Sequence, residues 1–247
     1  MNHPGAADFR RSAVEPIACL KGGWDLIKGQ YWLFVGMSLV GILIGSFVPF
    51  NILLGPMMCG IYLALFRRQR DLQIEFGDLF KGFDFFAQSV VATLLHMAPI
   101  VMMLVPFYAL LLMGPLLFPS EQKEFGPGGI AFIAVVVVFG IIMAMVGMFI
   151  TIGFIFAYPL IVDRKLSGVD AVKLSLRAAM GNFWRLLGLL LLNAVVALAG
   201  LLLCYVGMFL VLPVTFAAIA VAYNQVFGLG DFQPELPPPP PVFAYGT

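Results

Sequence analysis

The sequence predicts an all-α fold: a polytopic transmembrane helical bundle of about six spans, arranged as three hairpins, with cytoplasmic amphipathic helices lying in the interface. Three observations carry this prediction. Apolar residues make up 62% of the 247-residue chain and charged residues only 11%, against about 45–50% and about 25% in soluble domains. The apolar residues fall in long uncharged runs of the kind a bilayer demands. When these runs are treated as spans, every one of the 14 Lys and Arg residues except Lys123 falls on one side, and basic residues in short flanking loops mark the cytoplasmic side. Both termini are therefore expected in the cytoplasm.

Residues 1–30 form a cytoplasmic N-terminal segment with an amphipathic helix. Asp8, Glu15 and Asp25 interrupt it, so it holds no continuous apolar stretch of the kind that leads a cleaved signal peptide. Ser12-Ala-Val-Glu15 followed by Pro16 reads as a capping box with proline at the first helical position. The membrane domain then occupies 31–230. Its first uncharged run, Tyr31 to Phe66, would measure about 54 Å as one helix, well beyond a hydrocarbon core of roughly 30 Å. It must turn back, most naturally at Pro49-Phe50-Asn51, giving spans near 32–48 and 52–66 that end at Arg67-Arg68-Gln69-Arg70.

Residues 71–86 are expected to form a surface helix with Phe76, Phe80 and Phe83 toward the acyl chains and Asp71, Glu75 and Asp78 outward. The third span runs from Gln88 to Phe118 through Pro99, Pro106 and Pro115 into the polar outer loop 119–129, and the fourth from Ile130 to Val162, ending at Asp163-Arg164-Lys165. Leu186 to Phe227 again exceeds one crossing and is expected to turn near Cys204 to Gly207. The tail, 231–247, carries prolines at 237–241 and reads as an extended polyproline II linker or ligand segment for a cytoplasmic partner.

An internal repeat runs through this order. Asp25-Leu-Ile-Lys28 precedes Tyr31-Trp32, Asp78-Leu-Phe-Lys81 precedes Phe85-Phe86, and Asp170-Ala-Val-Lys173 precedes Phe183-Trp184. In these lead-in segments Ile17, Leu20, Trp24 and Ile27, then Leu72, Phe76, Leu79, Phe80 and Phe83, then Val172, Leu176, Ala179 and Phe183 keep helical spacing. The third segment opens with a second capping signal, Ser167-Gly-Val-Asp170.

The chain has no length to spare for a soluble catalytic domain, and no catalytic constellation is visible, so an enzyme is not expected. Cys19, Cys59 and Cys204 lack metal or redox spacing, and no metal or cofactor is called for. The basic residues are too dispersed for nucleic acid. Ion-coupled transport usually needs charged residues inside the spans, and these contain no Asp, Glu, Lys or Arg. His96, Asn193 and Asn224 are the strongly polar residues at membrane depth. His96 could relay a proton or bind a metal, but a lone histidine reads first as a hydrogen-bonded interior residue. The two amides read first as bonds between helices. Gly36, Gly41 and Gly45, and Gly140 with Ala144, permit close helix approach, the second set also suiting a homo-oligomer.

The remaining candidates line the cytoplasmic rim. Arg67, Arg68, Arg70, Lys81, Arg164, Lys165, Lys173, Arg177 and Arg185 lie at headgroup depth, where each gains about 1 kcal/mol against an anionic leaflet. The competing reading is that they simply orient the spans.

Gly55-Pro-Met-Met-Cys-Gly60, Phe76-Gly-Asp-Leu-Phe-Lys-Gly-Phe83, Tyr158-Pro-Leu-Ile-Val-Asp163, Asp170-Ala-Val-Lys-Leu-Ser175 and Gly181-Asn-Phe-Trp184 together resemble uncharacterised bacterial multi-span membrane proteins. These are related to the membrane domain fused to some glycerophosphodiester phosphodiesterases. The resemblance covers most of residues 25–227 and implies a six-helix protein of the bacterial inner membrane with a cytoplasmic amphipathic linker. The hydrolase of those fusions has no counterpart here. The expectation is thus a non-enzymatic membrane-organising component binding lipid or partner proteins. The alternative is a transporter or channel subunit for a neutral or apolar solute.

Overall fold

The computed structural model describes residues 9–47, 51–117, 127–202 and 206–229. The expected turns at Pro49-Phe50 and at Cys204, the outer loop with Lys123, and the Pro-rich tail lie outside them. Among the described residues there are helices and turns and no strand. The helices are α1 (Pro16–Ile27), α2 (Tyr31–Phe47), α3 (Leu54–Gln69), a 3-10 helix (Phe76–Phe85), α4 (Phe86–Leu117), α5 (Pro127–Phe154), α6 (Ala157–Arg164), α7 (Gly168–Gly181), α8 (Phe183–Leu202) and α9 (Val206–Phe227). Five helical stretches are long and apolar enough to cross a membrane. The shorter α3, with 16 residues, reaches about 24 Å.

The three expected units are visible, each a lead-in helix followed by a pair of longer helices. Each lead-in packs on the second long helix of the unit before it: the 3-10 helix on α3, α7 on α5 and α6, and α1 on α9. The last contact joins the first unit to the third, so the three units close into a ring. Small residues make these joints possible. A Cβ on Gly23 of α1 would stand 2.7 Å from the Ala218 backbone nitrogen of α9. Cβ atoms on Gly60 and Gly82 would overlap the Leu79 and Pro56 carbonyl oxygens, respectively.

This packing orients the lead-ins, and Phe76, Phe80 and Phe83 stand on the outer side, where they were expected to meet acyl chains. α1 buries Cys19, Gly23 and Ile27, while Ile17 and Trp24 stay exposed. Gly23 lets this inward face approach α9 closely, while Trp24 lies on the outward one. The 76–85 segment repeats the pattern, since Leu79 and Gly82 are buried and Phe76, Phe80 and Phe83 are exposed. Asp78 departs from expectation: it is buried, at 2% exposure, because its carboxylate faces Arg67 across the joint and Lys81 on its own helix. The helix also starts at Phe76, with Leu72 to Glu75 in irregular chain.

At the N-terminus Glu15, not Ser12, caps α1, and Ser12 takes a left-handed backbone (φ 51°). The proline at the first helical position stands as expected. Ser167 does cap α7, accepting from the Asp170 backbone N–H and donating to its carboxylate. The expected fourth span is broken after Phe154, where Pro159 has no N–H for the Ile155 carbonyl. Ser175 of α7 repairs the break. Its hydroxyl donates to the Gly153 carbonyl at 2.6 Å and accepts from the Phe156 N–H at 3.1 Å.

Candidate functional site

The polar chemistry of the described residues gathers at one end of the ring, where α3, α6 and α9 terminate. Arg67 and Arg68 close the last turn of α3 and Arg164 that of α6, where cations complement the free carbonyls of helix C-termini. Beneath them a chain of rings joins the three helices. Phe66 lies 5.2 Å from Tyr223, Tyr223 lies 5.0 Å from Phe227, and Phe156 packs edge-on against Phe227 at 5.6 Å.

Two buried carboxylates organise this end. Asp78 accepts from Arg67 at 2.6 Å and Lys81 at 2.7 Å through one oxygen, and from the Glu75 backbone N–H through the other. Asp163, with a fully buried side chain, accepts from the Tyr223 hydroxyl at 2.7 Å and pairs with Arg70 at 3.4 Å. Asp78 therefore joins the first two units and Asp163 joins all three. Arg164 reaches the Phe227 carbonyl at 3.4 Å and sits 5.2 Å over its ring. Breaking one such pair leaves a stranded charge, which costs about 3–5 kcal/mol.

A strap formed by residues 9–15 completes the end. Asn182 accepts from the Ala13 N–H and donates to the Arg10 and Ala178 carbonyls. Gln225 accepts from the Glu15 N–H and the Cys19 thiol. Arg10 donates its backbone N–H to the Val226 carbonyl.

Most of the basic residues expected to face headgroups have partners within the protein. Arg67 and Lys81 hold Asp78, Arg70 holds Asp163, Arg68 donates to the Leu26 carbonyl, Arg164 to Phe227 and Arg185 to the Val14 carbonyl. Among the described residues the side chains of Lys165, Lys173 and Arg177 are exposed and make no such contact. Lys165 itself stands in the left-handed conformation that ends α6.

The three polar residues expected at membrane depth are not brought together. His96 is half-buried on α4 and stacks on Phe154 at 4.8 Å. One turn earlier Thr93 donates to the Ser89 carbonyl and bonds the Tyr158 hydroxyl. Asn193 is buried in α8, and its side-chain oxygen has no hydrogen-bond partner among the described residues. Asn224 is exposed in the last turn of α9, and its neighbour Gln225 makes the inward bonds. No group of three or more His, Cys, Asp or Glu residues placed to hold a metal occurs among the described residues.

Sequence reasoning missed Asp163, Tyr223, Asn182 and Gln225. Asp163 had one legible signal, standing directly behind the uncharged run Ala157 to Val162. The others lie 60 or more positions from the described residues they join across the ring, apart from the local Asn182 to Ala178 bond. Fold and site together define a class: an all-α transmembrane helical bundle closed at one end by buried ion pairs. No protein-family profile, curated protein or solved structure matches the chain.

Proposed function

We propose that this chain is a non-enzymatic component of the bacterial inner membrane, multi-pass with both termini cytoplasmic, that organises lipid or partner proteins. The supporting observation is the α4–α5 hairpin. Its two helices, of 32 and 28 residues, expose Met102, Val105, Leu112, Val135, Val138 and Ile142. A continuous apolar surface of this size needs acyl chains or a partner to cover it. The charged end favours the same reading, since its buried carboxylates are engaged in joining the units. The proposed kinship with the membrane domain fused to some glycerophosphodiester phosphodiesterases is supported by the three-hairpin plan.

The transporter reading draws on the polar row of Ser89, Thr93 and Tyr158 below His96. Reconstitution separates the two. Vesicles carrying the protein should swell in neutral solutes of glycerol size no faster than protein-free vesicles. Native mass spectrometry from mild detergent should find phospholipid retained. Rapid swelling would establish transport, and a lipid-free protein would overturn the lipid-organising reading.

A further inference from the structure

We propose that the junction of α1 and α2 is a headgroup niche for an amine-bearing zwitterionic phospholipid, an inference that rests on the lipid-organising reading. The short 3-10 turn Lys28–Gln30 links the two helices and opens a groove of about 500 Å³ lined by Trp24, Lys28, Gly29, Gln30, Tyr31 and Trp32. Its volume lies in the range of small-molecule sites.

The groove is held open by its neighbours. The Tyr31 hydroxyl donates to the Leu210 carbonyl at 2.7 Å, which fixes that ring as a wall. Trp24 and Trp32 each sit 5.5 Å from it at steep angles and are themselves exposed. Gly29 supplies an uncovered floor, and a Cβ there would lie 3.3 Å from Arg68 Nη2.

The charged residue lining the groove is Lys28, and Asp25 is held beside it as its ion-pair partner. Lys28 Nζ stands 2.7 Å from Asp25 Oδ1, both side chains more than half exposed. An ammonium has three protons, so Lys28 can hold Asp25 and still donate to a phosphate in the groove beside Gln30. The free lone pairs of Asp25 and the face of Trp24 suit the ethanolamine ammonium. Trp32 and Leu33 continue outward as an apolar wall for the first acyl carbons. An anionic glycerol headgroup satisfies the lysine but brings only hydroxyl donors, and no second cation, to the remaining lone pairs of Asp25. A trimethylated amine reaches the ring but has no proton for the carboxylate. The corresponding junctions of the other units lack this combination. Phe83 stacks on Phe86 there, and Phe183 is covered by Phe149.

The full chain should be placed in bilayers of equal phosphatidylethanolamine and phosphatidylglycerol, extracted in mild detergent and examined by native mass spectrometry. Phosphatidylethanolamine should be retained in excess, and the Asp25→Ala/Lys28→Ala variant should lose about tenfold of that retention, the worth of one to two charge-assisted bonds. Both residues are exposed, and an unchanged unfolding midpoint would verify the fold. Brominated phosphatidylethanolamine should quench Trp24 and Trp32 fluorescence more in the wild type than in the variant. Retention of lipid with no preference, or an equal preference in the variant, would overturn the niche alone. Retention of no lipid of any class would overturn the lipid-organising reading as well. Displacement of the lipid by soluble phosphoethanolamine at comparable concentration would assign the groove to a free metabolite instead.

Discussion

Helices α3 and α5 invert the rule familiar from soluble proteins. α3 ends in two arginines and a glutamine yet is buried without interruption from Cys59 to Phe66. α5 carries no charged residue, and its most apolar stretch contains no buried residue at all. The more apolar helix is the more exposed one. In a bilayer this is expected, because acyl chains are as apolar as leucine and give no reward for hiding it. What draws helices together is close backbone approach and polar contact, and α3 has both: Gly55 and Gly60 against neighbouring backbone, Arg67 against Asp78. The molecule therefore has two regions with different logic, a polar, small-residue ring of joints and an apolar hairpin addressed to its surroundings.

Substitutions can break or sharpen that contrast. The largest effect should come from Asp163→Ala, which removes the one carboxylate shared by all three units, the ion-pair partner of Arg70 and the acceptor for Tyr223. A loss of about 3–5 kcal/mol is expected, read as the unfolding midpoint in detergent. Gly82→Val should cost about 1–3 kcal/mol or more, because its side chain would be driven into the Pro56 carbonyl and the Gly60 backbone. A tolerated valine would show that this joint is looser than described.

Ser175→Ala comes next, at about 1–3 kcal/mol, since it leaves the Phe156 N–H and Gly153 carbonyl at the α5–α6 break without their partner. The smallest change should be Val138→Ala on the exposed face of α5, within about 0.5 kcal/mol. A large loss at Val138 would mean that the hairpin is packed against protein.

Much of the fold was legible because bilayer thickness and proline placement act locally. The first hairpin was expected near 32–48 and 52–66 and is found at Tyr31–Phe47 and Leu54–Gln69. The lead-in repeat was legible too, although its Asp-x-x-Lys device serves two ends. Asp25 and Asp78 pair with Lys28 and Lys81, whereas Asp170 bonds the capping Ser167. What stayed hidden depends on contacts around the ring. Helical spacing marked an apolar face on α1, but not that Gly23 would bring the helix against the α9 backbone. Asp78 read as solvent-facing because its partner Arg67 sits on a different element. No local feature of the basic rim reveals that Arg185 reaches the Val14 carbonyl, 171 positions away.

The contrast between α3 and α5 can be measured on the unaltered protein. A lipid-soluble carbene precursor is photolysed in vesicles carrying the chain, and labelled residues are mapped by mass spectrometry. Heavy labelling of Val135, Val138, Ile142 and Met145, with Met57, Ile61 and Leu65 protected, is the predicted result. Comparable labelling of the two helices, or protection of α5, would contradict the account.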